Sequence, residues 1–185
     1  MKKDEFLDLL DQRLADIDSA LIQFEKETEK ALSKPPEEGK WSVLGNLEHL
    51  HRYNEFYIPE FRKVMKRAPI TESQEMQRGR FGMKSAISML PTESGVDNPM
   101  KTFKSKNPLY ADIPLSVIDV FKSEQAELKA IISEARNRDI GAIKCKTTLP
   151  LIRFRLCDAL EFVINHEVRH IAQAKRALES ALQIS

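Results

Sequence analysis

Apolar residues recur at helical spacing in four long stretches of the chain. From about Asp4 to Leu32, Phe6, Leu9, Leu10, Leu14, Ile17, Leu21 and Phe24 line one side of a predicted helix. The run Lys34-Pro35-Pro36-Glu37-Glu38-Gly39 stops it. Ser42 is a candidate N-cap for a second helix. Its buried stripe is Val43, Leu47, Leu50, Tyr57, Phe61 and Val64, and it stops before Pro69. Pro59 lies inside this helix, where a proline can kink it. Pro114 opens a third helix with Val117, Val120, Phe121, Leu128, Ile131 and Ile132 on one side. Arg136 to Lys146 reads as a loop, and Pro150 opens a fourth helix that runs to about Leu182. Near one face it carries Leu156, Leu160, Ile164, Val168, Ile171, Lys175 and Leu178.

Residues 68–112 break the pattern, because Pro69, Gly79, Gly82, Pro91, Gly95, Pro99 and Pro108 punctuate them. A short helix over roughly 80–89 fits there. The rest reads as a long crossover that wraps the bundle or forms a lid. Met76, Met83, Met89 and Met100 suit it to adaptable packing and to the wall of an apolar pocket. Four long helices and one long crossover predict an all-α four-helix bundle, a single domain over 1–185.

Composition narrows the function classes. The chain has 185 residues, enough for one full-sized core, and its 7% aromatic content and 6 glycines favour helices. A formal net charge of +1 supplies no basic field for nucleic acid. No apolar run approaches membrane-spanning length, and the start MKKDEFLDLLDQRL has no signal-peptide stretch. Two cysteines do not make a disulfide framework, so a cytoplasmic setting is expected. Cys157 reads as core. Cys145 reads as a loop thiol whose neighbours Lys144 and Lys146 favour the thiolate. Trp41 reads as a helix-start staple.

The 4 histidines form two pairs, His49/His51 and His166/His170. The second pair has i,i+4 spacing, which puts the rings ~40° apart and ~6 Å along one helix axis, so one ion reaches both. Both share a flank with the small residues Ala159 and Ala177. Imidazole suits zinc, nickel, copper or iron. A third ligand must come from another helix. On the second helix His51 lies about 80° to one side of the apolar stripe and His49 about 120° to the other. Periodicity leaves the choice between them open.

Two other readings use the same residues. His166-Glu167-x-x-His170 is the zinc-protease string, with Glu167 as base. Only 15 residues follow His170, with Glu179 as the one further ligand candidate, and Glu167 points about 60–100° off the histidine flank. Glu167 therefore reads as a surface-edge or interface carboxylate. Glu48-x-x-His51 with Glu167-x-x-His170 is the di-iron carboxylate pattern, which Glu25 or Glu29 and Glu124 or Glu127 would complete. Against it, Glu48 falls about 140° from its stripe, toward solvent, and His49 and His166 go unused.

The segment Gly39-Lys40-Trp41-Ser42-Val43-Leu44-Gly45-Asn46-Leu47-Glu48-His49-Leu50 resembles the second-helix signature of the DinB/YfiT-like superfamily. The run His166-Glu167-Val168-Arg169-His170-Ile171-Ala172-Gln173 resembles its last-helix motif, His-x-x-x-His-x-x-Gln. The resemblance implies an up-down-down-up bundle with one divalent ion, zinc or nickel before iron or manganese, on His49, His166 and His170. It implies a homodimer acting on a small molecule, as a transferase of a low-molecular-weight thiol such as bacillithiol or as a metal-dependent hydrolase. Arg169, Arg153 or Tyr53 would orient an anionic group, and Gln173 would stand beside the ligands. The non-catalytic alternative is a metal-binding dimerisation module of a stress response.

Overall fold

The computed structural model describes residues 2–91 and 102–183; Gly95, Pro99 and Met100 of the crossover lie outside them. Helix α1 is Lys3–Phe24 and buries Phe6, Leu10, Leu14, Ile17, Leu21 and Phe24. The predicted continuation to Leu32 is instead a separate helix, α2 (Glu29–Ser33). Thr28 makes the break: its backbone is extended and its hydroxyl accepts from the Ala31 N–H at 3.3 Å. A Thr side chain that caps a new helix competes with continuation of the old one.

Helix α3 is Val43–Met65, capped as expected by the Ser42 hydroxyl, which accepts from the Gly45 N–H at 3.1 Å. It continues through Pro59, whose side is exposed, so the carbonyl one turn back can bond water. Helix α4 is Arg80–Ile87, as predicted within a residue or two. A 3-10 turn follows at Lys104–Lys106. Helix α5 is Val117–Ala135, and α6 is Leu156–Gln183.

The stretch before α6 departs from expectation. Lys144–Lys146 (β1) and Arg153–Arg155 (β2) form an antiparallel hairpin, with Cys145 opposite Phe154. Both side chains point inward. Three-residue strands carry too few positions for period-two alternation to register in a sequence.

Helix α3 packs on α5 and α6, and α1 packs on the same two. Contacts between α3 and α6 run in opposite directions: Asn46 meets His170, His49 meets His166, and Tyr57 faces Phe162. Contacts between α3 and α5 run in the same direction, from Asn54 with Glu124 to Arg62 with Glu127 and Glu134. Helices α1 and α5 run oppositely, from Glu25 with Lys122 to Asp11 with Arg136. One cluster of buried apolar side chains joins all four helices.

The crossover begins as a strap over the helix ends. The Asp139 N–H donates to the Pro69 carbonyl at 2.7 Å, and the Lys3 N–H donates to that of Gln74 at 3.0 Å. Arg78 then ties it to α6, with Nε 2.5 Å from Asp158 Oδ1 and Nη2 on Glu161. Helix α4 lies close on α6 because Gly82 has no side chain; a Cβ there would stand 2.8 Å from the Asp158 Cβ. Among the described residues no helix is long and apolar enough to cross a membrane.

Candidate metal centre

The second long helix, α3, contributes His49, and its choice over His51 follows from how α3 packs. His49 faces α6, whereas His51 faces α5 and sits 2.7 Å from Glu124. On α6 the i,i+4 spacing brings His166 and His170 within 4.5 Å, centroid to centroid. His49, His166 and His170 each offer a ring nitrogen, and these atoms all lie within 4.8 Å of one another, a set that could hold one metal ion. All three rings are buried.

Hydrogen bonds orient two of the rings. The Lys106 carbonyl can only accept, so His49 Nδ1 carries the proton it donates there at 2.7 Å. The Asn46 amide donates to the Ser42 carbonyl at 2.9 Å, which turns its Oδ1 toward His170 Nδ1 at 3.2 Å. Each bond leaves Nε2 with a bare lone pair, the usual second-sphere arrangement around histidine ligands. His49 Nε2 and His166 Nε2 are 3.3 Å apart, so they share either a proton given by His166 or a cation.

Burial also keeps the rings neutral. It lowers His49 to about 4 and holds His166 and His170 well below the ordinary histidine value, helped by charge repulsion among the rings and from Arg169. Neutral, oriented, convergent imidazoles are what a divalent ion requires, so the donor set fits one.

The triad opens on a cavity of about 830 Å³. Trp41 covers one side, with its ring 4.5 Å from His49 and 5.6 Å from His170 and its indole N–H on Asn107 Oδ1 at 3.1 Å. It is more than a helix-start staple. Gly45 admits it: a Cβ there would lie 3.1 Å from the Trp41 Cβ. Tyr53 stands 5.0 Å from His49 and 4.9 Å from His166, and burial pushes its phenol up to about 12. Phe162 stacks on His166 at 6.3 Å. Arg169 and Gln173 line the cavity, and Gln173 hydrogen-bonds His170.

Other sequence candidates lie elsewhere. Arg153 is exposed on β2, outside the cavity lining. Glu124 and Glu167 both accept from the Asn54 amide, with His51 on Glu124, but Glu48 pairs with Arg52 at 2.7 Å, Glu25 with Lys122, and Glu127 with Arg62, while Glu29 is exposed and His170 faces the histidine triad, so the full di-iron set does not come together among the described residues. Glu167 is not a surface-edge group: it is fully buried between α3 and α5 and accepts from Asn54 at 2.9 Å and Gln125 at 3.0 Å. Burial pushes its carboxyl up to about 8. It lines no part of the cavity, which removes the base that a protease would need. Cys145 is no loop thiol; it is buried on β1, and burial pushes it up to about 12. Sequence reasoning passed over Asn46 and the Lys106 carbonyl. The i,i+3 spacing of Asn46 and His49 was a usable signal for the first; the second is backbone from a segment distant in sequence and carries none.

Comparison with curated proteins found no match, and neither did comparison with solved structures. A family model, that of the DinB superfamily, matches residues 5–174. With residues 5–174 of the 185 matched, the chain belongs to the DinB superfamily.

Proposed function

We propose that His49, His166 and His170 hold one divalent ion, zinc or nickel, and that the chain is a metal-dependent enzyme acting on a small molecule, with transfer of a low-molecular-weight thiol as the leading reaction and hydrolysis as the second. The observation that carries this is the convergence of three neutral imidazoles on a large cavity. A divalent ion there supplies Lewis acidity, which lets a thiol or a water lose its proton near neutral pH. The Lys106 carbonyl and Asn46 hold two rings in the ligating tautomer. Trp41 and Phe162 exclude water from either side of the triad. Tyr53 keeps its proton on Oη and is placed to donate it as a hydrogen bond, while the Arg169 guanidinium attracts anionic groups. Cys145 and Cys157 are buried, so the nucleophilic thiol comes from outside the chain. The same reading includes the family's up-down-down-up bundle, supported by the directions in which the helix contacts run, and a homodimer in the cytoplasm.

Trp41 is the sole tryptophan and stands 4.5 Å from His49, so its fluorescence reports on the site. Untagged protein titrated with Ni²⁺ should show quenching that saturates at one equivalent, and elemental analysis should find one ion per chain. His166→Ala should abolish both. Full occupancy in that variant would refute the assignment.

A further inference from the structure

The hairpin before α6 carries charge and strain that the histidine site does not use. Cys145 and Phe154 turn inward, so the side chains of Lys144, Lys146, Arg153 and Arg155 share the outer face. The register puts Lys144 opposite Arg155 and Lys146 opposite Arg153. Like charges directly across a strand pair repel. From Ile140 to Cys157 the sequence has no Asp or Glu to offset them. Arg155 is half-buried and donates from Nη1 to the Gly141 carbonyl. Lys144, Lys146 and Arg153 are exposed, and among the described residues no carboxylate pairs with them. Glu60 on α3 accepts from the Lys146 backbone N–H instead, at 2.9 Å. Lysines on short strands discourage edge pairing, but that role does not call for opposed cations on both strands.

The tip beyond these cations is apolar. Leu149, Pro150 and Leu151 are exposed, Leu151 completely. Leu151 also has a φ of 66°, a left-handed backbone unfavourable to a residue with a Cβ. The turn is held in place: the Thr147 N–H donates to the Ile152 carbonyl and the Ile152 N–H to that of Leu149, both at 3.3 Å. We propose that this hairpin docks the protein on an anionic phospholipid bilayer. Leu149 and Leu151 enter the acyl boundary, Lys146 and Arg153 lie at the phosphates, and Lys144 stands one strand pair, ~7 Å, behind them. An apolar tip backed by cations matches the order of acyl chain and phosphate in a leaflet. An acidic soluble partner would meet the cations but gives no reason for exposed leucines at the tip. Leu149 also lines the cavity, so docking sets that edge of the cavity against the bilayer.

The test is flotation of the untagged full chain with phosphatidylcholine vesicles, with and without one-third phosphatidylglycerol. The anionic vesicles should bind at least tenfold tighter, and about 0.5 M sodium chloride should remove the difference. Lys144→Gln, Lys146→Gln and Arg153→Gln combined should weaken anionic-vesicle binding at least tenfold. Leu151→Gly should weaken it severalfold with Tm unchanged or higher, because glycine takes this backbone without strain. Ile22→Ser should change nothing: Ile22 is exposed on α1 near the Glu25–Lys122 pair at the start of α5, whereas the hairpin follows the end of α5. Equal binding of both vesicles, binding of neither, or anionic-vesicle binding indifferent to Leu151→Gly would overturn the inference. Binding of poly-glutamate by a chain that ignores vesicles would also overturn it, assigning the cations to an acidic macromolecule. The hairpin supplies none of the three histidines, so the combined variant should still take up Ni²⁺ as the wild type does, and loss of the metal reading would leave the vesicle result standing.

Discussion

Cys145 and Cys157 offer a sharp test of how the hairpin and α6 are packed. Both side chains are fully buried, and burial pushes each thiol from 9.0 to about 12. At pH 8 a thiol of pKa 9.0 is roughly one-tenth thiolate, while one at about 12 is roughly one ten-thousandth thiolate. Ionisation alone therefore slows attack on a disulfide reagent roughly a thousandfold, before the reagent's lack of access is counted. The raised value also sets the sign of the pH dependence. The folded-state rate should climb about tenfold per pH unit from 7 to 9 with no plateau near 9, whereas the denatured chain should level off there. The assay is release of the coloured thiolate from an aromatic disulfide, with and without guanidinium, on the wild type and on Cys157→Ser to isolate Cys145. Two thiols should react in denaturant within seconds, and neither at a comparable rate in the folded chain. Labelling of Cys145 in the folded chain at the denatured rate would show it exposed beside Lys144 and Lys146, and the hairpin pairing with Phe154 would be wrong.

Three further outcomes are expected. Gly82→Ala puts a Cβ 2.8 Å from the Asp158 Cβ. It should cost about 1–3 kcal/mol, lowering Tm by roughly 2–4 °C per kcal/mol in a thermal melt, and an unchanged Tm would contradict the close α4 packing. Glu167→Ala strands the Asn54 and Gln125 amide donors at about 1–3 kcal/mol each, whereas Glu167→Gln should cost far less. The buried, unpartnered oxygens Asn54 Oδ1 and Gln125 Oε1 can turn to accept from the new amide, and denaturant melts showing equal losses would refute that. Asn46→Leu removes the acceptor at His170 Nδ1 and should weaken Ni²⁺ binding about 10–100-fold with the fold retained. Unchanged affinity in the Trp41 titration would show that the bond orients nothing.

The four long helices are legible in the sequence because a helix repeats locally. Phe6 to Phe24, Leu47 to Val64, Phe121 to Ile132 and Leu160 to Leu178 each announce a buried side within a few turns. The pairing of His166 with His170 is legible for the same reason, since both stand on one helix four residues apart. Where a feature depends on a single side chain or on very few residues, the pattern fails. Thr28 splits the first predicted helix by one cap, and the hairpin is too short to show its alternation.

What lies between elements belongs to the tertiary structure. Periodicity leaves His49 and His51 undecided and puts His51, if anything, nearer the apolar stripe; only the resemblance to a family favours His49. The packing of α3 between α5 and α6 sends His51 to Glu124 and His49 to His166. The same packing buries Glu167 under two amides, brings Trp41 over the histidines and leaves Arg153 outside. The chain by itself determined which residues share a helix face. Which faces meet, and so which histidines converge, depends on distances across helices more than a hundred residues apart in sequence, and those exist only once the core has closed.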